Sequence, residues 1–551
     1  MNQIQNPVLK GFHADPAICR VGDTFYIAVS TFEWFPGVLI YRSSNLRDWE
    51  LAGRPLERVS QLNMAGNPSS GGIWAPCLSY ADGRFWLIYT DVKNWAGAPP
   101  EYSNGFKDAH NYLVTAETVA GPWSDPIYMN SSGFDPSLFH DDDGRRWFVN
   151  MIWDYRPHRN SFAGIVLQEY NHREQKLVGP VQNIFTGSPL KLTEAPHLYK
   201  RNGWYYLMTA EGGTSYSHAV TLARSPNIEG PYELHPQTPL LSSVADWQAF
   251  RQAETNGGDI IPALCTGIQK AGHGSMAPVS DTVWVLAHLC GRPLPGTLRC
   301  PLGRETALQR LVWKDDGWPW PEAAVPQTTV SFPEIGGLPA ATEEPPYTWR
   351  EDFDNAQPAA ELQSLRLPLG ERADLSINRG WLCLRGAESP ESRFRQSLLA
   401  RRVQHFAWAA ETRMRFSPAD FQQFAGLVVR YDERTQYILR MHGGDNGQPE
   451  LGLIVYNDGR IELPLGEQEQ PLDSDEVYLG VDVCHADLQF RWSPDGSVWH
   501  TIGPVLDASK LSDEYAMPMG FTGAFVGLAC FDTSGRKTPA FFDYLAYHET
   551  G

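Results

Sequence analysis

Three acids recur at one kind of place along this chain: Asp15 in GFHADPAICR, Asp135 in SGFDPSLFH and Glu194 in LTEAPHLYK. Each stands at, or one residue before, the position that precedes a proline, and each leads into a strand-like apolar run. Proline fixes its own φ and pushes its predecessor out of the helical region, so an isolated Asp-Pro needs no role beyond opening a strand. Three acids in register carry more weight. Carboxyl groups held in different protonation states divide acid and base work, one protonating a leaving oxygen while another drives attack on the atom it leaves. A third carboxylate beside the donor raises the donor's pKa, because like charges in a semi-buried site resist ionising together.

The elements that must position these acids are visible as a repeat. The units are DPAICRVGDTFYIAVS from Asp15, APCLSYADGRFWLIYT from Ala75, DPSLFHDDDGRRWFVNMIW from Asp135, APHLYKRNGWYYLMTAEGG from Ala195 and APVSDTVWVLAHL from Ala277, at intervals of 60, 60, 60 and 82 residues. The first four each read as a hairpin around a polar turn (VGD, ADG, DDDG, RNG), and further strand-like runs such as NYLVTAETVAGPW and HAVTLARSPNIEGPY follow. About four short strands per unit, five times over, is the pattern of a propeller whose inner strands face a central channel. In this register the residues before the prolines are Asp15, Ala75, Asp135, Ala195 and Ala277, and those one step earlier are Ala14, Trp74, Phe134, Glu194 and Met276. The acids therefore stand where sister units carry small or apolar residues, at one mouth of the channel. Glu194 is one residue out of phase with the two aspartates, which in a regular strand turns it to the other face. A strand entry held by proline need not alternate strictly.

The fold class expected is all-β. Residues 1–322 form the five-bladed propeller, and the Pro-, Gly-, Thr- and Glu-rich stretch across 323–347 reads as a linker. A second all-β region, 348–551, holds two-faced strands such as FAGLVVRYDERTQYILRM and LGLIVYNDGRIELPL, which suit a β-sandwich.

Composition narrows the partners. With 45 basic and 64 acidic residues the formal charge is −19, and no Lys/Arg-rich run appears, which excludes nucleic-acid backbones and anionic membrane surfaces. Eight scattered cysteines without a C-x-x-C pair fit neither a zinc ribbon nor a thioredoxin-type motif. Nineteen tryptophans offer flat apolar faces of the kind sugars bind. The start MNQIQNPVLKGFHAD has neither the basic opening nor the apolar core of a secretion signal, and no apolar stretch is long enough to span a bilayer, so a cytoplasmic location is expected.

The motifs GFHADPAICRVGDTFYIAVSTFEWFPGV, GGIWAP, SGFDPSLFHDDDG, LTEAPHLYKRNGWYYL followed by TAEGGTSY, IQKAGHGS, CPLGRETALQRLVWKDDGWP and FTGAFVGLACFDTSG resemble, in this order and over nearly the whole chain, glycoside hydrolase family 43. The resemblance is in particular to the family's bacterial two-domain β-xylosidases. The resemblance implies a five-bladed propeller with a C-terminal sandwich of jelly-roll, concanavalin-like type. It also implies exo-acting hydrolysis with inversion, releasing D-xylose from the non-reducing end of β-1,4-xylo-oligosaccharides. Carried over by motif, Asp15 is the general base, Glu194 the general acid, and Asp135 the group that orients Glu194 and raises its pKa. Phe32 and Trp74 are pocket walls, Thr214 a further wall position, and Arg304 the arginine that bonds the terminal sugar's hydroxyls. His273 lies beneath the centre, where relatives hold either a divalent cation, often calcium, or a protonated imidazole. Phe521 and Phe525 are the candidates for the phenylalanine with which the sandwich closes the pocket, Phe521 being preferred. Homo-oligomers, dimers or tetramers, are expected from the relatives. The segment 247–267 reads as an insertion that lengthens the fourth interval.

Two other readings compete. An α-L-arabinofuranosidase or dual-specificity enzyme uses a similar pocket, because arabinofuranose and xylopyranose present similar hydroxyls. A non-catalytic carbohydrate-binding protein uses the acids only as hydrogen-bond acceptors. The invertase-like propellers are set aside, because the chain has H-A-D-P in place of N-D-P-N and lacks R-D-P.

Overall fold

The structure is a computed structural model that describes residues 3–95, 105–255, 268–336, 345–445, 447–517 and 519–551. Five antiparallel sheets form the blades of a propeller, as the repeat led us to expect. The first four begin with the inner strands Ala14–Val21, Gly72–Ala81, Ser137–His140 and Glu194–Arg201, and the fifth with Gln269–Pro278. The hairpin turns follow from local chemistry. Asp82-Gly83 and Asn202-Gly203 both adopt positive φ, the two-residue turn whose twist matches that of the strands it joins. Ala81 pairs with Arg84, and Arg201 with Trp204, across these turns.

The inner strands are not regular at their entries. Register shifts fall between Ala14 and Ala17, Trp74 and Cys77, and Glu194 and His197. The pre-proline residues Asp15, Ala75, Asp135 and Ala195 all have positive φ, at 54°, 36°, 54° and 52°. Left-handed backbone is uncommon outside glycine, and a bulge re-aims the side chains beside it. Two successive residues can then face the channel, which removes the conflict over Glu194.

The fifth blade corrects the assumed register. Its strand carries two shifts, between Gln269 and Gly272 and between Gly272 and Gly274, and two left-handed residues, Lys270 at φ 57° and His273 at φ 48°. Of the two, His273 is the one that stands beside Asp15, 3.5 Å from its carboxylate, whereas Ala277 sits toward the far end of strand Gln269–Pro278. The Ala-Pro pair in that unit copies the motif without its position.

The ring is closed by the N-terminal segment. Strand Gln3–Gln5 pairs with Thr329–Ser331, His13 N donates to Arg304 O at 2.7 Å, and Asn6 Nδ2 donates to Leu308 O at 2.7 Å and Gln327 O at 2.9 Å. This places part of the expected linker inside the propeller. Val330 and Phe332 are buried in the same cluster as Ile4 and Leu9, so TTVSF reads as a strand and not as spacer.

The C-terminal region is a sandwich of two antiparallel sheets. One contains Ala407–Phe416, Glu476–Cys484 and Asp487–Ser493, and the other Ser397–Arg402, Phe525–Asp532, Gln423–Arg430 and Gln436–Gly443. The second sheet is covered on both faces. Alternate residues Leu427, Leu439 and Leu528 enter the sandwich core, while Val428, Ile438, Phe525 and Ala529 join a cluster with Phe12, Phe32, Trp34 and Trp74 of the propeller. Strands buried on both sides lose the apolar–polar alternation of a surface sheet. Among the described residues there is one α-helix, Trp247–Thr255, at the start of the supposed insertion, whose remainder, like Cys265, lies outside the described residues.

Candidate active site

At the channel mouth facing the sandwich is a cavity of about 270 Å³. The bulged entries supply it from two adjacent positions: Asp15, Asp135 and His273 from the left-handed residue, and Trp74, Phe134 and Glu194 from the residue before. Phe32, Thr214, Arg304 and Phe521 complete the expected set that the structure brings together. Phe525 is the exception. It opens strand Phe525–Asp532, is fully buried, and stacks on Trp34 with ring centroids 3.6 Å apart, so it cements the two domains and does not line the cavity.

Hydrogen bonds fix the two aspartates and link adjacent blades. Ser30 Oγ donates to Asp15 Oδ2 at 2.6 Å and accepts from Ala75 N at 2.8 Å, which ties the first blade to the second. Asp135 Oδ2 accepts from Ala195 N at 3.1 Å, so the carboxylate of the third blade grips the residue after Glu194 in the fourth. His273 Nδ1 lies 3.5 Å from Asp15 Oδ1. These contacts set side-chain directions without relying on strand periodicity.

Electrostatics separates the groups. Burial and the negative charge of Asp15 push Glu194 up to about 8, against the opposing pull of Arg304 and Lys107. Asp135 is driven well above the usual carboxylate range by burial, with Glu194 and then Asp15 adding repulsion. Burial lowers the pKa of His273, against the pull of Asp15, and favours the neutral imidazole. Glu194 thus holds its proton near neutral pH, which is what a proton donor requires.

The sandwich closes this mouth. Phe521 lies 6.0 Å from Phe32, 5.5 Å from Trp74 and 4.8 Å from Trp95, centroid to centroid, and its backbone N donates to Ser70 Oγ at 3.0 Å. The Arg304 guanidinium sits 4.6 Å from the Phe521 ring centroid, and its Nη2 donates to Thr214 Oγ1 at 3.2 Å.

Sequence reasoning missed Trp95, Lys107, Trp153, Phe162, Leu192 and Met519, all of which line the cavity. Lys107 Nζ stands 4.4 Å from the Trp153 ring centroid, and burial lowers its pKa to about 8. None of these residues belongs to an inner-strand entry, so the repeat gave no signal for them. Trp density alone pointed in their direction.

A five-bladed propeller whose one mouth gathers three carboxyl groups among aromatic walls, capped by a sandwich, is the architecture of a glycoside-cleaving enzyme. The chain belongs to glycosyl hydrolases family 43, whose model matches residues 4–319, and a beta xylosidase C-terminal concanavalin A-like domain matches 350–548. It is 48% identical over 558 residues to xylosidase/arabinosidase 43B of Humicola insolens, covering 99% of this chain and 98% of that protein. It is 46% identical to a beta-xylosidase of Bacillus subtilis (strain 168), covering 99% of this chain and all of that one. The crystal structure of xylan beta-1,4-xylosidase from Bacillus halodurans C-125 superposes with a TM-score of 0.90 at 48% identity, over 99% of this chain and 100% of that one.

Proposed function

We propose that the protein is an exo-acting, inverting β-xylosidase that releases D-xylose from the non-reducing end of β-1,4-xylo-oligosaccharides. The observation that carries this reading is the raised pKa of Glu194 in a small capped cavity shared with Asp15 and Asp135. Asp15, steadied by Ser30, takes a proton from the water that attacks the anomeric carbon, and Glu194 gives its proton to the departing oxygen. Asp135 acts through Glu194, holding the adjacent Ala195 N–H and so fixing the backbone beside the acid. Arg304 uses Nε on Asp513 and one Nη2 hydrogen on Thr214, which leaves further N–H donors of its fork for sugar hydroxyls. Phe32, Trp74 and Phe521 offer ring faces to the sugar's C–H surfaces. The cap supports exo action, because a wall on the far side of the terminal sugar admits only a chain end.

The residues around His273 do not fit a protein-built calcium site. Calcium takes about six to eight oxygen ligands. His273 offers nitrogen, and among the described residues its surroundings supply no convergent trio of His, Cys, Asp or Glu. The reaction is therefore derived from the carboxyl groups alone. A cytoplasmic location belongs to this reading, and the seven described cysteines, all free thiols, support it. No helix among the described residues is long and apolar enough to cross a membrane.

Glu194→Gln tests the acid. Turnover of xylobiose should fall by about 100-fold or more, while a dinitrophenyl xyloside, whose leaving group needs no proton, should lose far less. Equal loss on both substrates would assign the acid elsewhere. α-L-Arabinofuranosidase activity is the second reading, favoured by the name of the Humicola relative, and comparing rates on the two nitrophenyl glycosides decides it.

A further inference from the structure

On the rim beside the pocket, two aromatic rings stand in solvent. Phe106 and Tyr155 stack with centroids 3.9 Å apart and planes 21° from parallel, yet Phe106 is 68% exposed and Tyr155 45%. Single exposed apolar side chains are ordinary on a protein surface. A mutually aligned pair that leaves this much ring uncovered is not explained by packing, because neither side chain belongs to a buried cluster.

The pair is continuous with the cavity wall. Gly105 O, just before Phe106, accepts from Trp153 Nε1 at 2.9 Å, and Lys107, just after it, reaches over the Trp153 ring. Trp153 in turn lies 6.1 Å from Phe134 inside the cavity, centroid to centroid. Phe134 and Trp153 thus form an aromatic track out of the buried wall, and the Phe106–Tyr155 stack adjoins its outer end through the backbone of Gly105. Asp154 and Arg156, joined to each other at 2.6 Å, flank Tyr155 and give the platform a polar edge.

We propose that the Phe106–Tyr155 stack is an outer subsite that binds the leaving portion of the substrate, receiving the C–H face of a pyranose ring beyond the first sugar outside the pocket. The occupant is the same xylo-oligosaccharide whose terminal residue enters the cavity, so the inference rests on the exo-acting reading above. A chain cut at its end must extend outward past the rim, and this is where the track leads. Aromatic faces give a sugar ring a flat apolar surface and little ordering cost, since each side chain has few rotatable bonds.

The test compares kcat/KM on xylobiose, xylotriose and xylotetraose for the wild-type protein, Phe106→Ala and Tyr155→Ala. Each variant should lose about 3- to 10-fold on xylotetraose through a raised KM, and less than about 2-fold on xylobiose, with thermal midpoints unchanged because both side chains are exposed. Unchanged values on xylotetraose, or an equal loss at every length, overturn the platform and leave the exo reading standing. A wild-type protein inert on xylobiose overturns the exo reading and the platform with it.

Discussion

Arg304 Nε lies 3.2 Å from Asp513 Oδ2, and both side chains are 6% exposed, so a propeller guanidinium in the sugar pocket is oriented by a sandwich carboxylate. Asp513 is fixed in its turn by Tyr431 Oη, which donates to Oδ1 at 2.6 Å. The sandwich therefore does more than cap the pocket with Phe521. It positions a residue of the opposite wall.

Asp513→Asn should show this directly. Removing the charge leaves Arg304 buried against Thr214 and Phe521 without its counter-ion, a change that costs about 3–5 kcal/mol when a buried pair is broken. We expect a lowered thermal midpoint together with a KM for xylobiose raised by about 10-fold or more. A variant with the wild-type KM would show that Arg304 keeps its direction without the sandwich.

The pH profile follows from Glu194. With its pKa pushed up to about 8 by burial and Asp15, the acid is protonated through neutral pH, and kcat/KM should decline with a one-proton slope above about pH 8. Lys107 pulls this pKa down, so Lys107→Met should carry the alkaline limb to higher pH. A limb that moves downward or stays in place would detach Lys107 from the titration.

The same shift has a stability consequence. Between its ordinary value of 4.5 and about 8, Glu194 keeps in the folded state a proton that the unfolded chain has released. Stability from this group is thus complete below about pH 4.5 and declines as pH rises to about 8. Glu194→Gln, neutral at every pH, should match the wild-type thermal midpoint near pH 4.5 and exceed it by on the order of a few degrees at pH 8. An inactive variant that gains no stability across that interval would mean that Glu194 is not strained by charge.

Much of this was legible in the chain because a propeller repeats one unit and shows its exceptions. Asp15, Asp135 and Glu194 stood out against Ala75, Trp74 and Ala195 at equivalent places, and the 60-residue interval gave the blades. What failed was register. Ala277 carried the Ala-Pro signature, but the left-handed bulge that aims a side chain into the channel belongs to His273, and no dipeptide announces it. Strand Thr329–Ser331 hid in linker-like composition because its partner, Gln3–Gln5, lies more than 300 residues away. Lys107 and Met519 come from connections with no repeat to align, Trp153 ends the second strand of its unit away from the aligned entries, and Asp513 reaches the pocket only through the docking of two domains. Phe525 and Phe521 looked equivalent in GFTGAFVG, yet one begins a strand whose alternate side chains face the propeller and the other stands in the loop above the cavity.

The stereochemistry of the first product tests the central claim most directly. Proton NMR during the first moments of β-xyloside hydrolysis, before mutarotation, should show α-xylose appearing first, because in the proposed division of labour Asp15 drives water onto the face opposite the bond that Glu194 helps to break. If β-xylose appears first, a carboxylate has attacked the sugar itself, and the division of labour between Asp15 and Glu194 is contradicted.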